Sequence, residues 1–133
     1  MAVLGIIAAG GVFAGLNPSY TTFELAHAIR TADITHLLVE PGFLPKAVRA
    51  AEECSIPESN IFAFDTHGHT IPRDFRVQGE EMDWEAFDDR RRSEETVVAR
   101  LFSSGTTGLP KALNVSTWNL VGTLFSYLST TLH

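Results

Sequence analysis

The chain carries a single cysteine, Cys54, so no intrachain disulfide can form, and a reducing interior, cytoplasmic or peroxisomal, is the expected setting. It has no surplus of positive charge. Its 10 Lys and Arg against 16 Asp and Glu give a net charge of -6, which argues against a sequence-independent grip on nucleic acid. Long apolar runs of membrane-spanning size, roughly 18 to 20 residues, are missing too. The N-terminal run Ala2 to Leu16, AVLGIIAAGGVFAGL, falls short of that length and has no Lys or Arg before it, as a secretory signal would. No membrane span is therefore expected. The run reads instead as a buried helix passing into a buried strand, with Gly10 and Gly11 at the junction.

What is present suits one compact domain or part of one: 133 residues, 44% hydrophobic and 20% charged, with no internal repeat and no low-complexity tract. After a turn at Asn17 and Pro18, the T-x-x-E pattern of Thr21 to Glu24 predicts a helix start in which Thr21 caps and Glu24 reaches back. Leu25, Ala28, Ile29 and Ala32 then form one apolar stripe, from which His27 and Arg30 turn away. Thr35 to Glu40 (THLLVE) reads as a buried parallel strand closed by Pro41 and Gly42. Leu44, Ala47, Val48 and Ala51 repeat the helical stripe, with Pro45 in the first turn, and Ser55 to Asn60 ends it before a second strand at Ile61 to Phe64. Strands alternating with helices of this length imply an α/β fold with a mainly parallel, partly doubly wound sheet and flanking helices.

Between residues 65 and 95 the pattern gives way to a polar connecting segment with one short helix at Trp84 to Asp88. Its H-x-H pair, His67 and His69, has metal-like spacing but lacks the third and fourth ligands a zinc site needs, so it reads as solvated loop. Arg90, Arg91 and Arg92 lie between Asp88, Asp89 and Glu94, Glu95, and read as a solvated, partly disordered face tethered by Met82, Trp84 and Phe87. Cys54, with no adjacent histidine, reads as a small, at least half-buried residue. Order is expected to return with a strand at Thr96 to Phe102 and another at Ala112 to Val115. The chain closes on a helical stripe of Val121, Leu124, Phe125, Leu128 and Leu132.

The two late strands flank LFSSGTTGLPKAL, Leu101 to Leu113. Glycines let the main chain turn its N-H groups inward, hydroxyls add short donors, and a lysine adds a point charge, all of which suit a polyphosphate. The pattern is not the G-x-x-x-x-G-K-S/T loop. With the lysine placed on Lys111, Gly105 matches, but Pro110 stands where the second glycine belongs and Ala112 where the magnesium-binding hydroxyl belongs. Composition alone equally allows a surface turn between strands.

The stretch resembles the phosphate-loop signature of the adenylate-forming superfamily, which includes acyl- and aryl-CoA ligases, luciferases and peptide-synthetase adenylation domains. That signature runs aromatic, Ser or Thr, Ser, Gly, two hydroxyl residues, Gly, any residue, Pro, Lys, Gly, and Phe102 to Lys111 satisfies it throughout. Upstream, AAGGVFAGLNPSYTTFELAHAIRTADITHLLVEP is similar to the segment that precedes the loop in that family, and NPSYT leans toward coumarate-type CoA ligases. Two positions depart. Ala112 replaces the usual glycine after the lysine, and Thr117, in STWNL, replaces a histidine common near the acyl-binding side.

The resemblance implies an enzyme class that activates a carboxylic acid with ATP and Mg2+ and passes the acyl group to coenzyme A. Residues 1-133 would form part of the larger N-terminal adenylation domain. Ser103, Ser104, Gly105, Thr106, Thr107, Gly108 and Lys111 would hold the β- and γ-phosphates of ATP. The family's Y-G-x-T-E segment, ribose-binding aspartate, hinge and catalytic lysine have no counterpart here, so the chain alone is expected to be incompetent for adenylation, and no catalytic residue is assigned. The last helical stripe fits either of two roles: packing on further parts of a ligase, or pairing with a partner chain. The second describes a non-catalytic remnant or interaction protein, with self-association through exposed apolar faces.

Overall fold

The computed structural model describes residues 2–64, 89–104 and 108–131. In chain order the elements are α1 (Ala2–Ala8), β1 (Phe13–Ala14), α2 (Thr22–Thr31), β2 (Leu37–Val39), α3 (Leu44–Glu53), β3 (Ile61–Ala63), α4 (Arg90–Glu95), β4 (Val97–Ser104), β5 (Pro110–Ser116) and α5 (Thr117–Thr131), with single 3-10 turns before α3 and β3. The architecture is mixed α/β, with strands and flanking helices as the sequence implies. Among the described residues the strands are shared between two sheets, one in the order β1-β4-β5 and one pairing β2 with β3. Both registered pairs are parallel: Phe13 lies opposite Ala99, and Leu37, Leu38 and Val39 lie opposite Ile61, Phe62 and Ala63. The described chain forms two compact units. One comprises 2–15, 89–101 and 113–131, and the other comprises 16–64, 102–104 and 108–112.

The second unit is built on α2 and α3. Thr21 caps α2 as expected: its Oγ1 accepts from the Glu24 N-H at 3.2 Å, while its own N-H and hydroxyl each donate to Glu24 Oε2 at 2.8 Å. The Thr21 amide, then its hydroxyl, hold the Glu24 carboxyl below the ordinary carboxylate range. A folded pKa that is lowered stabilises the fold above the unfolded value, and the contribution is lost as pH falls through the folded one. Leu25, Ala26, Ile29, Ala47, Ala50 and Ala51 bury the facing sides of the two helices, and Leu37, Ile56 and Ile61 close the cluster from the strand side. Alanines make up much of that contact, and Ile29 is the largest fully buried side chain among the described residues.

Three helices end in the same way. Gly10 (φ +77) follows α1, Asp33 (φ 47) follows α2 and Ser55 (φ 58) follows α3, each in the left-handed region. The next N-H then reaches back five residues: Gly11 to the Ile6 carbonyl at 2.8 Å, Ile34 to Ile29 at 3.0 Å and Ile56 to Ala51 at 2.9 Å. Ile34 and Ile56 pack against the core just after the turn. Only the first helix uses the residue that adopts this backbone without a Cβ penalty. Replacing the exposed Ser55 with glycine is therefore expected to raise stability by about 0.5–1 kcal/mol. Chemical denaturation checks this, and a destabilised Ser55→Gly chain contradicts it.

Two expectations are corrected. The N-terminal helix is not buried: α1 has no buried residue, and Leu4 is 62% exposed, because its principal packing partner is the two-residue β1, itself only half-buried. The arginine cluster is not disordered. Arg90–Glu95 is a helix capped by Asp89, whose Oδ1 accepts from the Arg92 N-H at 2.7 Å, and Arg90–Glu94 (2.8 Å) and Arg91–Glu95 (3.0 Å) pair along its surface. The face is solvated, as expected, and such exposed pairs add little stability. Arg90 also sits 5.0 Å above the ring of Trp118. The tethers expected at Met82, Trp84 and Phe87, the short helix at Trp84 to Asp88 and the His67–His69 pair lie outside the described residues. On α5, Val121, Leu124 and Phe125 of the expected stripe are exposed. No helix among the described residues is long and apolar enough to cross a membrane.

Candidate functional site

The stretch from Leu101 to Leu113 joins β4 to β5, which are hydrogen-bonded neighbours in one sheet. Its ends are better ordered as strand than the sequence suggests. β4 runs on through Ser103 to Ser104, and β5 begins at Pro110 rather than Ala112, so Lys111 stands on a strand and not in a loop. Pro110 is buried and Lys111 exposed, the alternation that a pleated strand imposes on successive side chains. The lysine thus projects to solvent while the residue before it is anchored inside.

Ser103 is exposed at the end of β4, and Ser104 is the last residue of that strand. Gly105, Thr106 and Thr107 lie outside the described residues. Gly108 has φ +84, and a Cβ built on it would meet nothing within 4 Å. The glycine is therefore required by backbone conformation and not by space. Ser103 and Ser104 end β4, Gly108 lies between the strands and Lys111 is the second residue of β5, all within one compact unit. Together they offer hydroxyl, amide and ammonium donors, and no group of three or more His, Cys, Asp or Glu that could hold a metal ion occurs among the described residues.

Two residues that sequence reasoning passed over support this unit. His27, which lies off the apolar stripe of α2, is half-buried, with Nε2 3.3 Å from the Pro110 carbonyl and 3.3 Å from Thr31 Oγ1. Partners 83 positions apart leave no local signal of their contact. Lys46 on α3 donates to the carbonyls of Pro18 at 2.6 Å and Tyr20 at 2.7 Å, clamping the turn that leads into α2. The paired carbonyls of that N-P-S-Y turn are made available by an Asx turn, in which the Ser19 N-H donates to Asn17 Oδ1 at 2.9 Å.

A cavity of about 260 Å³ opens beside β2, with Leu16, Leu25, Val39, Phe43 and Phe64 among its walls. Lys46 is the cation on its wall, and its ammonium is already engaged by the two carbonyls. Cys54 is half-buried, and its thiol donates to the Ala26 carbonyl at 3.4 Å. Burial pushes the thiol above its ordinary pKa, which keeps it protonated and a poor nucleophile at neutral pH. Thr117 opens α5 and donates its N-H to the Thr96 carbonyl at 2.9 Å, while Ser116 Oγ accepts from the Asn119 N-H at 3.3 Å. The STWNL stretch is thus a helix start, with Ser116 in the capping position.

A family model described as AMP-binding enzyme matches residues 1–132. The chain is 40% identical over 126 residues to the acyl-CoA ligase azaF of Aspergillus niger, covering 90% of this chain and 24% of that protein. It is 42% identical over 124 residues to the acyl-CoA synthetase ACTT5 of Alternaria alternata, covering 90% of this chain and 22% of that one. The chain thus spans about a quarter of the length of these curated relatives. Its fold is similar to that of a long-chain-fatty-acid-CoA ligase from Archaeoglobus fulgidus, with a TM-score of 0.72 and 20% identity over 91% of this chain and 23% of that one.

Proposed function

Since the chain belongs to the AMP-binding enzyme family, we propose that it supplies the ATP-phosphate-binding part of the N-terminal adenylation region of an acyl- or aryl-CoA ligase. In that reaction a carboxylate oxygen attacks the α-phosphorus of ATP, the α–β bridging bond breaks, and pyrophosphate leaves. The thiolate of CoA then attacks the acyl carbon of the adenylate and expels AMP. The residues of this chain act at the leaving-group end. Ser103, Ser104, Thr106 and Thr107 donate hydroxyl hydrogens to phosphate oxygens, the glycines turn backbone amides toward them, and Lys111 offsets the charge that grows on the departing pyrophosphate. Magnesium arrives on the triphosphate as part of the substrate, keeping water and phosphate ligands as that ion prefers. The observation that carries this reading is the continuous match of Phe102 to Lys111, framed by two neighbouring strands with Gly108 in a left-handed conformation.

On this reading the 133 residues, taken by themselves, contribute the phosphate end of such a site. The chain is expected to bind MgATP weakly and to show no exchange of labelled pyrophosphate into ATP with any of a panel of carboxylic acids. Calorimetric titration and the exchange assay check the two halves. Absence of any MgATP binding overturns the assignment of the loop, and clear exchange overturns the expected incompetence.

A further inference from the structure

We propose that His27 is a positioning residue for the phosphate loop: through its Nε2 hydrogen it holds the Pro110 carbonyl, and thereby sets the backbone from which Lys111 projects. The inference rests on the reading of Ser103 to Lys111 as a phosphate site. Pro110 is buried and has no N-H, so its carbonyl is the only backbone hydrogen-bonding group it owns. That carbonyl lies 3.3 Å from His27 Nε2, on the second turn of α2. The peptide that follows is planar, so fixing the oxygen fixes the plane that carries the Lys111 nitrogen.

The neighbours of the ring agree on where its proton sits. A carbonyl can only accept, so the contact with Pro110 requires hydrogen on Nε2. Thr31 Oγ1 donates its own hydrogen to the His27 carbonyl at 2.8 Å, so it too faces Nε2, at 3.3 Å, as an acceptor. Both partners therefore demand the same protonated nitrogen, which the hydroxyl and the carbonyl share. α2 is in turn held at its start by the Thr21–Glu24 cap and along its length by the alanine contact with α3. The path from helix core to lysine backbone is short: Ile29 and its neighbours seat α2, His27 reaches from α2 to Pro110, and Lys111 follows.

The test compares the parent chain with His27→Ala, His27→Gln, Thr31→Val and Lys111→Ala. A glutamine carboxamide nitrogen lies at about the reach of Nε2 and donates to a carbonyl, so it restores the bond without the ring. His27→Ala is expected to weaken MgATP binding about 2- to 10-fold, the range one such hydrogen bond commands. His27→Gln should stay within about 2-fold of the parent, and Thr31→Val, which removes the competing acceptor and the hydroxyl's own bond to the His27 carbonyl but leaves the ring's bond to Pro110, should also stay within about 2-fold. Hydrogen exchange over Gly108 to Leu113 supplies a readout independent of nucleotide, expected to quicken in His27→Ala and to return in His27→Gln.

Unchanged exchange in His27→Ala overturns the proposal, as does a glutamine variant as weak as the alanine one. If Lys111→Ala weakens binding and His27→Ala does not, His27 is excluded while the phosphate site stands. If Lys111→Ala binds as the parent does, the phosphate reading falls and the proposal falls with it.

Discussion

Replacing Ile29 with alanine is expected to lower the stability of the chain by about 2–5 kcal/mol. Ile29 is 2% exposed, and much of what surrounds it is alanine: Ala26 on its own helix and Ala47, Ala50 and Ala51 on α3. Those alanines have no long side chain that can swing in to fill a void on the helix side, while Leu37, Ile56 and Ile61 close the cluster from the strand side. Where in that range the cost falls depends on how far the strand-side residues can move in. Ile29→Val, which removes one methylene, is expected to cost only about 0.5–1.5 kcal/mol. Leu113→Ala, at a position 56% exposed, should stay within about 0.5 kcal/mol of the parent. Against a typical total of about 5–15 kcal/mol, the Ile29→Ala loss leaves a measurable unfolded population near physiological temperature. Urea denaturation of the three variants provides the comparison, and a cost for Ile29→Ala no larger than that for valine contradicts the burial account.

The second large effect is on binding and leaves the fold alone. Lys111→Ala is expected to weaken MgATP binding about 10-fold or more, the lower end of what a hydrogen bond to a charged group contributes. Its ammonium is exposed on a strand, so the thermal transition should move little. Exposure has a further consequence for salt. The lysine's share of the affinity should shrink as ionic strength rises and the Debye length falls from about 10 Å at 0.1 M to about 3 Å at 1 M. The parent and Lys111→Ala should therefore converge in high salt. Titration at several salt concentrations, with the melting temperature of each variant recorded alongside, separates lost charge from lost structure. Equal affinities at low salt would remove Lys111 from the site.

These outcomes bear on what a sequence of this kind discloses. The α2 cap was legible because Thr21 and Glu24 are three positions apart and bond to each other. The family signature was legible for a similar reason: the residues that carry it, Phe102 to Lys111, are contiguous. Burial of α1 was misjudged because apolar composition shows what a segment tolerates, not what covers it, and β1 is too short to do so. The helix at Arg90–Glu95 was obscured by its charge, yet its signals were local: Asp89 three positions before Arg92, and arginines four positions before glutamates. The division of the strands into two sheets, the Lys46 clamp and the His27–Pro110 contact depend on residues brought together by folding. No periodicity within a window of one helix or strand can report them.

The start of β5 at Pro110 makes the two sides of Lys111 unequal toward changes in chain length. An added or deleted residue between Ser104 and Pro110 alters the span of the connection but leaves the lysine on its own face of the strand. The same change made inside β5 advances the pleat by one and turns Lys111 toward the side that Pro110 now occupies. Natural variation in this protein's lineage should therefore tolerate length differences before the proline and resist them after it.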